Sequence, residues 1–283
     1  MPRMEVANRI TEMGQRLTTA ERRVAEVVLS APELVAFGTV AELAEAAKAG
    51  AATVVRLATK LGYDGFTALQ SAVQHELSSQ LRPAAIRIRE ARGGGVVRQH
   101  LQRELENVQA TLLGVDAHSL AEATSHLADL SRAVLVLSGD ASMGVSTQFV
   151  CDLGALRPGV ELFQGNEVAI SRRQSQARQG DVVIAIDLRR YDRWVVAAAQ
   201  VAKTKHAWLL SLTDSALSPL AGLADVSMVL SAGGIGPFDS HVGTLALLNV
   251  LVAAAASQLR ETATDRLDKA EAAWSAHSQL IDR

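Results

Sequence analysis

Cysteine is almost absent from this 283-residue chain, which carries a single one, Cys151. One cysteine excludes an intramolecular disulfide and any zinc site built from cysteines, and it is typical of a reducing compartment. The seven histidines show no paired metal-ligand spacing, and the chain has neither a Walker sequence nor a convincing dinucleotide-binding loop. The sequence therefore predicts no metal and no cofactor.

A strong excess of charge is also missing, since 28 lysines and arginines stand against 30 aspartates and glutamates. Residues 1–92 carry a net charge of +2 and residues 93–283 carry −4. This balance excludes a polycationic nucleic-acid tail. It leaves sequence-specific DNA binding open, because specific readers need only a few well-placed cations.

Long apolar runs are scarce. The first 15 residues are polar and lack the apolar core of a signal peptide. The longest apolar run, from Val242 to Leu259, is about long enough to span a bilayer. It contains Asn249 and is rich in alanine, so we expect a buried helix in a soluble domain. We expect a cytoplasmic protein without a membrane partner.

The first 80 residues show helical periodicity and no convincing strand. Thr19 is the predicted N-cap of a helix over about residues 20–30, and Pro32 is expected to end that helix. Thr39, followed three residues later by Glu42, predicts a capping box at the start of a second helix. A third helix is expected over about residues 51–61, with Gly62 just after its end and a fourth helix from Phe66.

Short helices joined by tight turns, with Thr-Val-Val-Arg opening the third, are typical of a helix-turn-helix DNA-binding domain. The segment TVVRLATKLGYDGF, residues 53–66, closely resembles the N-terminal domain of RpiR-type bacterial transcriptional regulators. The resemblance implies a DNA-binding domain over residues 1–80. Gly50 departs from the family, whose members commonly have serine as the cap of this helix, and this departure puts individual phosphate contacts in question.

The second helix of such a motif places its N-terminal residues against base edges in the major groove. The predicted DNA-binding residues are Thr53, Val54, Arg56 and Lys60. Arg56 suits a two-pronged contact to guanine, and Lys60 suits a phosphate. Val55, Leu57 and Leu61 are expected on the inner face. Charge alone leaves open the alternative that Arg56 and Lys60 are two cations on a solvated helix face.

From residue 133 onward the periodicity changes to short apolar runs separated by helical segments, at residues 133–137, 182–186, 208–212 and 226–230. This rhythm predicts a parallel sheet flanked by helices on both faces. The phrases LTDSALSPLAGLADVSMVL and GPFDSHVGTLALLNVLV resemble the SIS (sugar isomerase) domain, which is the effector sensor of RpiR-type regulators. The predicted sensor domain covers residues 115–283.

A helical linker is predicted between the two domains, over residues 81–114. Pro83 and three consecutive glycines, Gly93 to Gly95, mark it. After them, apolar residues recur at helical spacing from Val97 to Leu112. This apolar stripe can dock on the second domain or on a partner subunit.

Three loops are candidates for effector binding, because open α/β sheets bind ligands at the carboxyl ends of their strands. The predicted effector-binding residues are Ser138, Gly139, Ser142, Asp187, Arg189, Arg190, Ser240 and His241. Small residues after the first strand lead into a helix whose N-terminus favours an anion. Arg189 and Arg190 can clamp a phosphate or carboxylate, or stand as exposed loop cations. Ser240 also suits a helix cap, and His241 suits a polar position at a helix start.

The loops after the first and second predicted strands depart from the SIS pattern. Ser138 and Asp140 stand where SIS domains usually carry the glycines of a Gly-x-Gly-x-Ser phrase, and residues 187–191 replace a Ser-x-Ser-Gly run. A sugar phosphate therefore does not simply carry over as the ligand, and both a phosphosugar and a sugar acid stay open.

The combined prediction is a transcriptional regulator whose partners are a double-stranded DNA operator and a small anionic metabolite. The resemblance and the symmetry of DNA sites imply a homodimer or homotetramer. We predict no catalytic residues, because His241 is the sole candidate base for an isomerase and no glutamate accompanies it. The alternatives are a sugar-phosphate isomerase with an accessory helical domain, or a pure interaction module.

Overall fold

The computed structural model describes residues 6–13, 16–80, 95–165, 167–216 and 218–279. The chain divides into two compact units: residues 1–90 with the short segment 215–222, and residues 91–214 with 223–283. The predicted fold class, an all-α first part followed by an α/β part with a parallel sheet, is confirmed. Pro83, Gly93 and Gly94, which were predicted to mark the linker, lie outside the described residues.

The described residues of the first unit, up to residue 80, form six helices. They are α1 (Val6–Met13), α2 (Thr19–Ser30), α3 (Pro32–Phe37), α4 (Val40–Ala46), α5 (Ala51–Lys60) and α6 (Phe66–Gln80). Each helix buries an aliphatic stripe in one common core, with Val24, Leu43, Leu57 and Leu69 fully enclosed. Burial of apolar side chains at about 25 cal/mol per Å² is the main force that holds such short helices together.

Two capping boxes set the starts of α2 and α4. The N-cap of α2 is Thr18, so the predicted Thr19 is wrong by one residue. The Thr18 hydroxyl accepts from the Glu21 amide at 3.3 Å, and the Glu21 carboxylate accepts from the Thr18 amide at 2.8 Å. The box predicted at Thr39 and Glu42 is confirmed, with distances of 3.3 and 2.7 Å.

Pro32 ends one helix and begins another. Helix α2 stops at Ser30, as predicted, but Pro32 then occupies the first turn of α3, which the sequence analysis missed. Proline suits this position, because the first helical amides have no intrahelical partner and its fixed φ is already helical. At the end of α5, the predicted role of Gly62 is confirmed, since its φ of 84° lies in the left-handed region.

The second unit is a five-stranded parallel sheet between two layers of helices. Its strands are β1 (Val134–Ser138), β2 (Val160–Leu162), β3 (Val182–Ile186), β4 (Trp208–Thr213) and β5 (Val226–Val229). Its helices are α7 (Val96–Leu113), α8 (Ala117–Ala128), α9 (Met143–Leu156), α10 (Glu167–Ser175), α11 (Arg193–Thr204), α12 (Val242–Gln258) and α13 (Arg260–Ala276). The strand order is β2-β1-β3-β4-β5, and every neighbouring pair is parallel.

The four predicted strands are present to within one residue at each end, and β2 is an additional strand. Residues alternate between the faces of the sheet: Val134 and Val136 join the core formed with Phe149 and Leu247, while Leu135 lies on the side of α11. The central strands β1 and β3 are buried throughout. Burial on both faces explains why the sequences of these strands are continuous apolar runs.

The apolar run from residue 242 forms the buried helix α12, as predicted, and α12 packs against α7, α8 and α9. In the part of the chain that the structure describes, no single helix has the length and hydropathy of a membrane span. Helices α12 and α13 pass that test only as a pair, and the chain bends by 103° between them.

Helix α7 packs on α12 through polar residues. Asn107 and Thr111 are buried; Asn107 bonds to Gly233, and the Thr111 hydroxyl accepts from the Ser231 amide at 2.9 Å. The first part of the predicted apolar stripe stays exposed, with Val97 at 84%, Leu101 at 61% and Leu105 at 58%. The helix predicted as a linker therefore belongs to the second unit, and its apolar stripe remains on the surface.

Candidate functional sites: the reading helix and the carboxyl edge

Helix α5 packs against α2, α4 and α6, and this packing fixes which of its side chains face outward. Its inner side consists of Thr53, Val54, Leu57 and Ala58. Its outer side exposes Ala51, Ala52, Val55, Arg56, Thr59 and Lys60. This outer side is the surface of α5 that is available to DNA.

Two of the four predicted DNA-binding side chains lie on the inner side. Val54 is fully buried and Thr53 is 6% exposed, so neither side chain belongs to the exposed side of α5. Val55, which was predicted to face inward, is 42% exposed. The prediction thus interchanged Val54 and Val55, whereas Leu57 and Leu61 are buried and Arg56 and Lys60 are exposed, as predicted.

Arg56 is exposed, as a base-reading residue has to be. Its Nη2 donates to the Thr53 hydroxyl at 3.1 Å. Thr53 therefore orients the guanidinium and stays out of reach of the groove itself. An oriented guanidinium loses less rotamer freedom when it meets a guanine.

Lys60 is held within the first unit. Its Nζ donates to the Glu21 carboxylate at 2.9 Å and to the Arg16 carbonyl at 2.8 Å. The hydrogen bond from Lys60, together with that from the Thr18 amide, lowers the pKa of Glu21 to about 2. The predicted phosphate contact of Lys60 therefore requires release from this pair, whereas the pair itself ties the end of α5 to α2.

The Glu21–Lys60 pair predicts an acid-sensitive first unit. The pKa of Glu21 in the folded protein is depressed from 4.5 to about 2. The contribution of its carboxylate to the free energy of unfolding is therefore complete above about pH 5 and is lost as the pH falls towards 2. We expect this contribution to be on the order of 1–2 kcal/mol, since Lys60 is one-third exposed to solvent. Urea unfolding followed by helical circular dichroism at pH 7 and pH 3 measures it.

Glu21→Gln should remove this part of the pH dependence, and Glu26→Gln, an exposed position on the same helix, is the matched control. An unchanged pH dependence in Glu21→Gln would contradict the assignment.

The second candidate site lies at the carboxyl edge of the sheet, defined here as the loops after β1, β3 and β4 and the loop before α12. With the strand order 2-1-3-4-5, the chain reverses direction across the sheet between β1 and β3, and open α/β sheets bind ligands at such a switch point. The Gly139 amide donates to the Ile186 carbonyl at 2.9 Å, so the first two loops are in contact.

Asp187 is the central residue of this edge. It directly follows β3, is 4% exposed, and accepts from the amides of Asp192, at 2.7 Å, and Leu188. Burial, with smaller contributions from the charges of Asp192 and Asp214, raises the pKa of the Asp187 carboxyl to about 7. A carboxyl with this pKa exchanges its proton near neutral pH.

Gly139 has to be a glycine because the Asp187 carboxylate fills the space where its side chain would be. A Cβ at position 139 would lie 2.1 Å from the Asp187 Oδ1. We expect Gly139→Ala to cost about 1–2 kcal/mol of stability in the second unit, since two amides hold Asp187 in place. Chemical denaturation measures this loss.

Asp187→Ala should relieve the clash, so the double variant should be more stable than the two single losses predict. Strictly additive losses of stability would show that a Cβ at position 139 does not contact the Asp187 side chain.

Arg189 and Arg190 do not form a clamp. Arg189 donates to the Asp239 carboxylate at 2.5 Å, which joins the loop after β3 to the loop before α12. Arg190 is exposed, with its backbone in the left-handed region at a φ of 65°. The structure therefore brings Arg189 into the site and leaves Arg190 at its rim.

Tyr191 and Asp214 belong to the same edge and were not predicted as site residues. The Tyr191 hydroxyl donates to the Asp214 carboxylate at 2.8 Å, and burial raises the pKa of both groups. Asp214 directly follows the apolar strand β4. That position after a buried strand was the signal in the sequence that could have identified it.

The serines of the first loop differ in their contacts. Ser138 is buried and accepts from the Ser146 hydroxyl at 2.8 Å, so it fixes the start of α9. The Ser142 hydroxyl is also fully buried and has no hydrogen-bond partner among the described residues. Buried hydroxyls usually have a partner, so the Ser142 hydroxyl is an exception to the general pattern.

His241 and Ser240 face different neighbours. The His241 ring donates to the Ala141 carbonyl of the first loop, and burial lowers the pKa of His241. Ser240 donates to the Glu104 carboxylate at 2.5 Å and accepts from the Val242 amide at 3.2 Å, a capping contact at the start of α12. The structure therefore places His241 at the site and directs Ser240 towards α7.

A separate cavity of about 350 Å³ lies near the amino ends of β1 and β3. Three of its polar side chains are already engaged: Arg173 pairs with Glu161, and Asp181 accepts from the Ala133 and Arg178 amides. We favour the carboxyl edge as the ligand site because it combines the switch point of the sheet with a buried hydroxyl that has no partner among the described residues.

Comparison with known proteins identifies a domain family for each unit. Residues 4–80 match the helix-turn-helix domain of the rpiR family, and residues 157–254 match the SIS domain. An uncharacterized HTH-type transcriptional regulator of Haemophilus influenzae is 26% identical over 230 residues, 79% of each chain. The uncharacterized HTH-type regulator YbbH of Bacillus subtilis is 25% identical over 93% of this chain and 95% of its own.

Two solved structures are similar in fold. The sugar isomerase domain of an RpiR transcription factor from Sphaerobacter thermophilus is 26% identical with a TM-score of 0.59, over 62% of this chain and 98% of that one. The NanR protein of Vibrio vulnificus, complexed with ManNAc-6P, is 24% identical with a TM-score of 0.57, over 98% of this chain and 100% of that one.

A helix-turn-helix unit followed by an SIS unit defines the chain as a transcriptional regulator. The helix-turn-helix match over residues 4–80 is to the rpiR family, in agreement with the resemblance of residues 53–66.

Proposed function

We propose that this protein binds an operator in double-stranded DNA through the outer side of α5, and that a small metabolite bound at the carboxyl edge changes its affinity for that operator. The observation that supports DNA reading is Arg56, exposed on α5 and oriented by Thr53 at 3.1 Å. Val55 and Thr59 flank it on the same side, where an apolar and a hydroxyl contact suit thymine methyl groups and phosphates.

The metabolite site is supported by the convergence of three loops. Asp187 and Arg189 follow β3, and Asp239 and His241 precede α12. Arg189 pairs with Asp239, while Asp187 contacts Gly139 and His241 contacts Ala141 in the loop after β1. The edge has no glutamate among its described loop residues, and His241 is engaged with a backbone carbonyl. This composition suits a binding site better than isomerase catalysis, which needs a base beside the substrate carbon.

Self-association fits this function. Operators read by such domains have half-sites about one helical turn, roughly 34 Å, or multiples of it apart, so two readers must act together. The exposed residues Val97, Leu101 and Leu105 of α7 provide an apolar surface for a second copy in a homodimer or homotetramer. A metabolite that binds one arrangement of the copies more tightly shifts their population and with it the spacing of the readers.

Retention of genomic DNA tests the proposal. Purified protein is incubated with fragmented DNA of its source at low salt, and the retained fragments are sequenced, with Arg56→Ala in parallel. We expect a discrete palindrome that is lost in the variant and whose binding falls steeply with salt. Salt-insensitive binding of a protein partner without DNA retention would identify an interaction module. Turnover of a phosphosugar that is lost in His241→Ala would identify an isomerase.

A further inference from the structure

The outer side of α5 offers DNA few hydrogen-bonding groups. Three of its six exposed side chains are apolar, and the other three are those of Arg56, Thr59 and Lys60. The Lys60 ammonium is bonded to Glu21 at 2.9 Å, and the Thr59 hydroxyl donates to the Val55 carbonyl at 3.1 Å. Both of these side chains reach DNA only by giving up contacts within the first unit, so direct reading by hydrogen bonds depends mainly on Arg56.

The composition of α5 limits which bases it can identify by hydrogen bonds. In the major groove, arginine suits the O6 and N7 acceptors of guanine, asparagine or glutamine suits adenine, and a carboxylate suits cytosine. The structure describes all 10 residues of α5, and none of them is an amide or an acid. Arg56 uses one N–H on the Thr53 hydroxyl, at 3.1 Å, and keeps most of its donors for a guanine.

Val55 supplies a second kind of contact beside Arg56. It is 42% exposed, on the side of α5 that also exposes Ala52, one turn earlier. Thymine is the base that presents a methyl group in the major groove, and apolar side chains contact it. Adjacent residues of a helix are about 1.5 Å apart along its axis, less than the spacing of about 3.4 Å between base pairs. Val55 and Arg56 therefore reach the same base pair or neighbouring ones.

We infer that α5 reads a thymine next to a guanine, and that Val55 is the residue that determines the preference for thymine. The Val55 side chain packs on the thymine methyl group, while Arg56 donates to O6 and N7 of the guanine. Since thymine and guanine do not pair with each other, the two contacts fall on neighbouring base pairs. This inference rests on the proposed binding of DNA by the outer side of α5.

Replacement of thymine by deoxyuridine tests the inference, because deoxyuridine lacks the methyl group and keeps every hydrogen-bonding group of thymine. The operator found by retention of genomic DNA is synthesised with deoxyuridine at each thymine in turn. Fluorescence anisotropy then measures its affinity for the full chain. At a thymine next to a guanine, we expect affinity to fall about three- to five-fold, the size expected for one buried CH₂ group. Unchanged affinity at every such thymine would overturn the inference.

A double-mutant cycle assigns the effect to Val55. Val55→Ala should weaken the thymine operator by a similar factor and should bind the thymine and deoxyuridine operators equally. Val201→Ala, at a valine of α11 that is 38% exposed, is the matched control and should keep the full deoxyuridine effect.

The two proposals fail in different ways. A deoxyuridine effect that persists in Val55→Ala would overturn the inference, because another residue would then contact the methyl group. If no discrete operator is retained, the regulator proposal fails and this inference fails with it. If an operator is retained and is indifferent to deoxyuridine, only the inference about Val55 fails.

Discussion

Val54→Asp is expected to unfold the first unit, whereas Val55→Asp, one residue along α5, should leave it folded. Val54 is fully buried among aliphatic side chains, and an uncompensated charge there costs about 3–5 kcal/mol. That is most of the stability of a typical small domain. Val55 is 42% exposed, so the carboxylate of an aspartate at this position stays hydrated. Helical circular dichroism and urea melts measure the difference.

Each of the two variants is a control for the other, because both add the same negative charge to the same helix. Equal losses of stability would contradict the helix phase that the structure gives, and a larger loss in Val55→Asp would restore the phase expected from the sequence.

Arg56→Glu is expected to lower operator affinity about 100-fold or more. The change removes a contact worth about 1–3 kcal/mol of base discrimination and places a carboxylate against the phosphate backbone. Arg23→Glu carries the same charge change at an exposed position on α2, so it should reproduce only the general electrostatic part. Titration of a labelled operator by fluorescence anisotropy at two salt concentrations separates the two effects.

Equal losses in Arg56→Glu and Arg23→Glu would show that Arg56 acts through net charge alone. Retained affinity in Arg56→Glu would remove α5 from the DNA interface.

The phase of α5 could have been predicted more fully from the sequence. Val54 lies three and seven residues before Leu57 and Leu61, so helical spacing places it on their side, whereas Val55 lies two residues before Leu57, on the other side of the helix. The packing of α5 against α2 and α4 agrees with this spacing. The helix bounds followed from local signals, such as Thr39 with Glu42, and these were confirmed.

Strands were predictable where burial is complete. The run at residues 182–186 matches β3 residue for residue, because both faces of that strand are covered. The short edge strand β2 has half-buried residues, Val160 to Leu162, and lacks the composition of a strand. Only its pairing with β1 makes it one.

The structure brings the predicted loops together, and it changes the contacts that the sequence suggested for their side chains. The rule that ligands bind at the carboxyl ends of strands selected Asp187, Arg189 and His241, and the structure brings them together at that edge. The partners of these residues come from loops far apart in the chain. Asp239 lies 50 residues from Arg189, and its pairing turns a predicted anion clamp into an internal ion pair.

The hydrogen bonds that hold α5 in place affect the thermodynamics of the proposed DNA binding. Lys60 ties its end to α2, Thr53 orients Arg56, and Arg9 donates to the Leu61 carbonyl just beyond the helix. The backbone of the reader is therefore ordered before DNA arrives, and association immobilises only a few side chains. We therefore expect DNA binding to cost little conformational entropy in this helix, and we expect differences between DNA sequences to appear mainly in the dissociation rate.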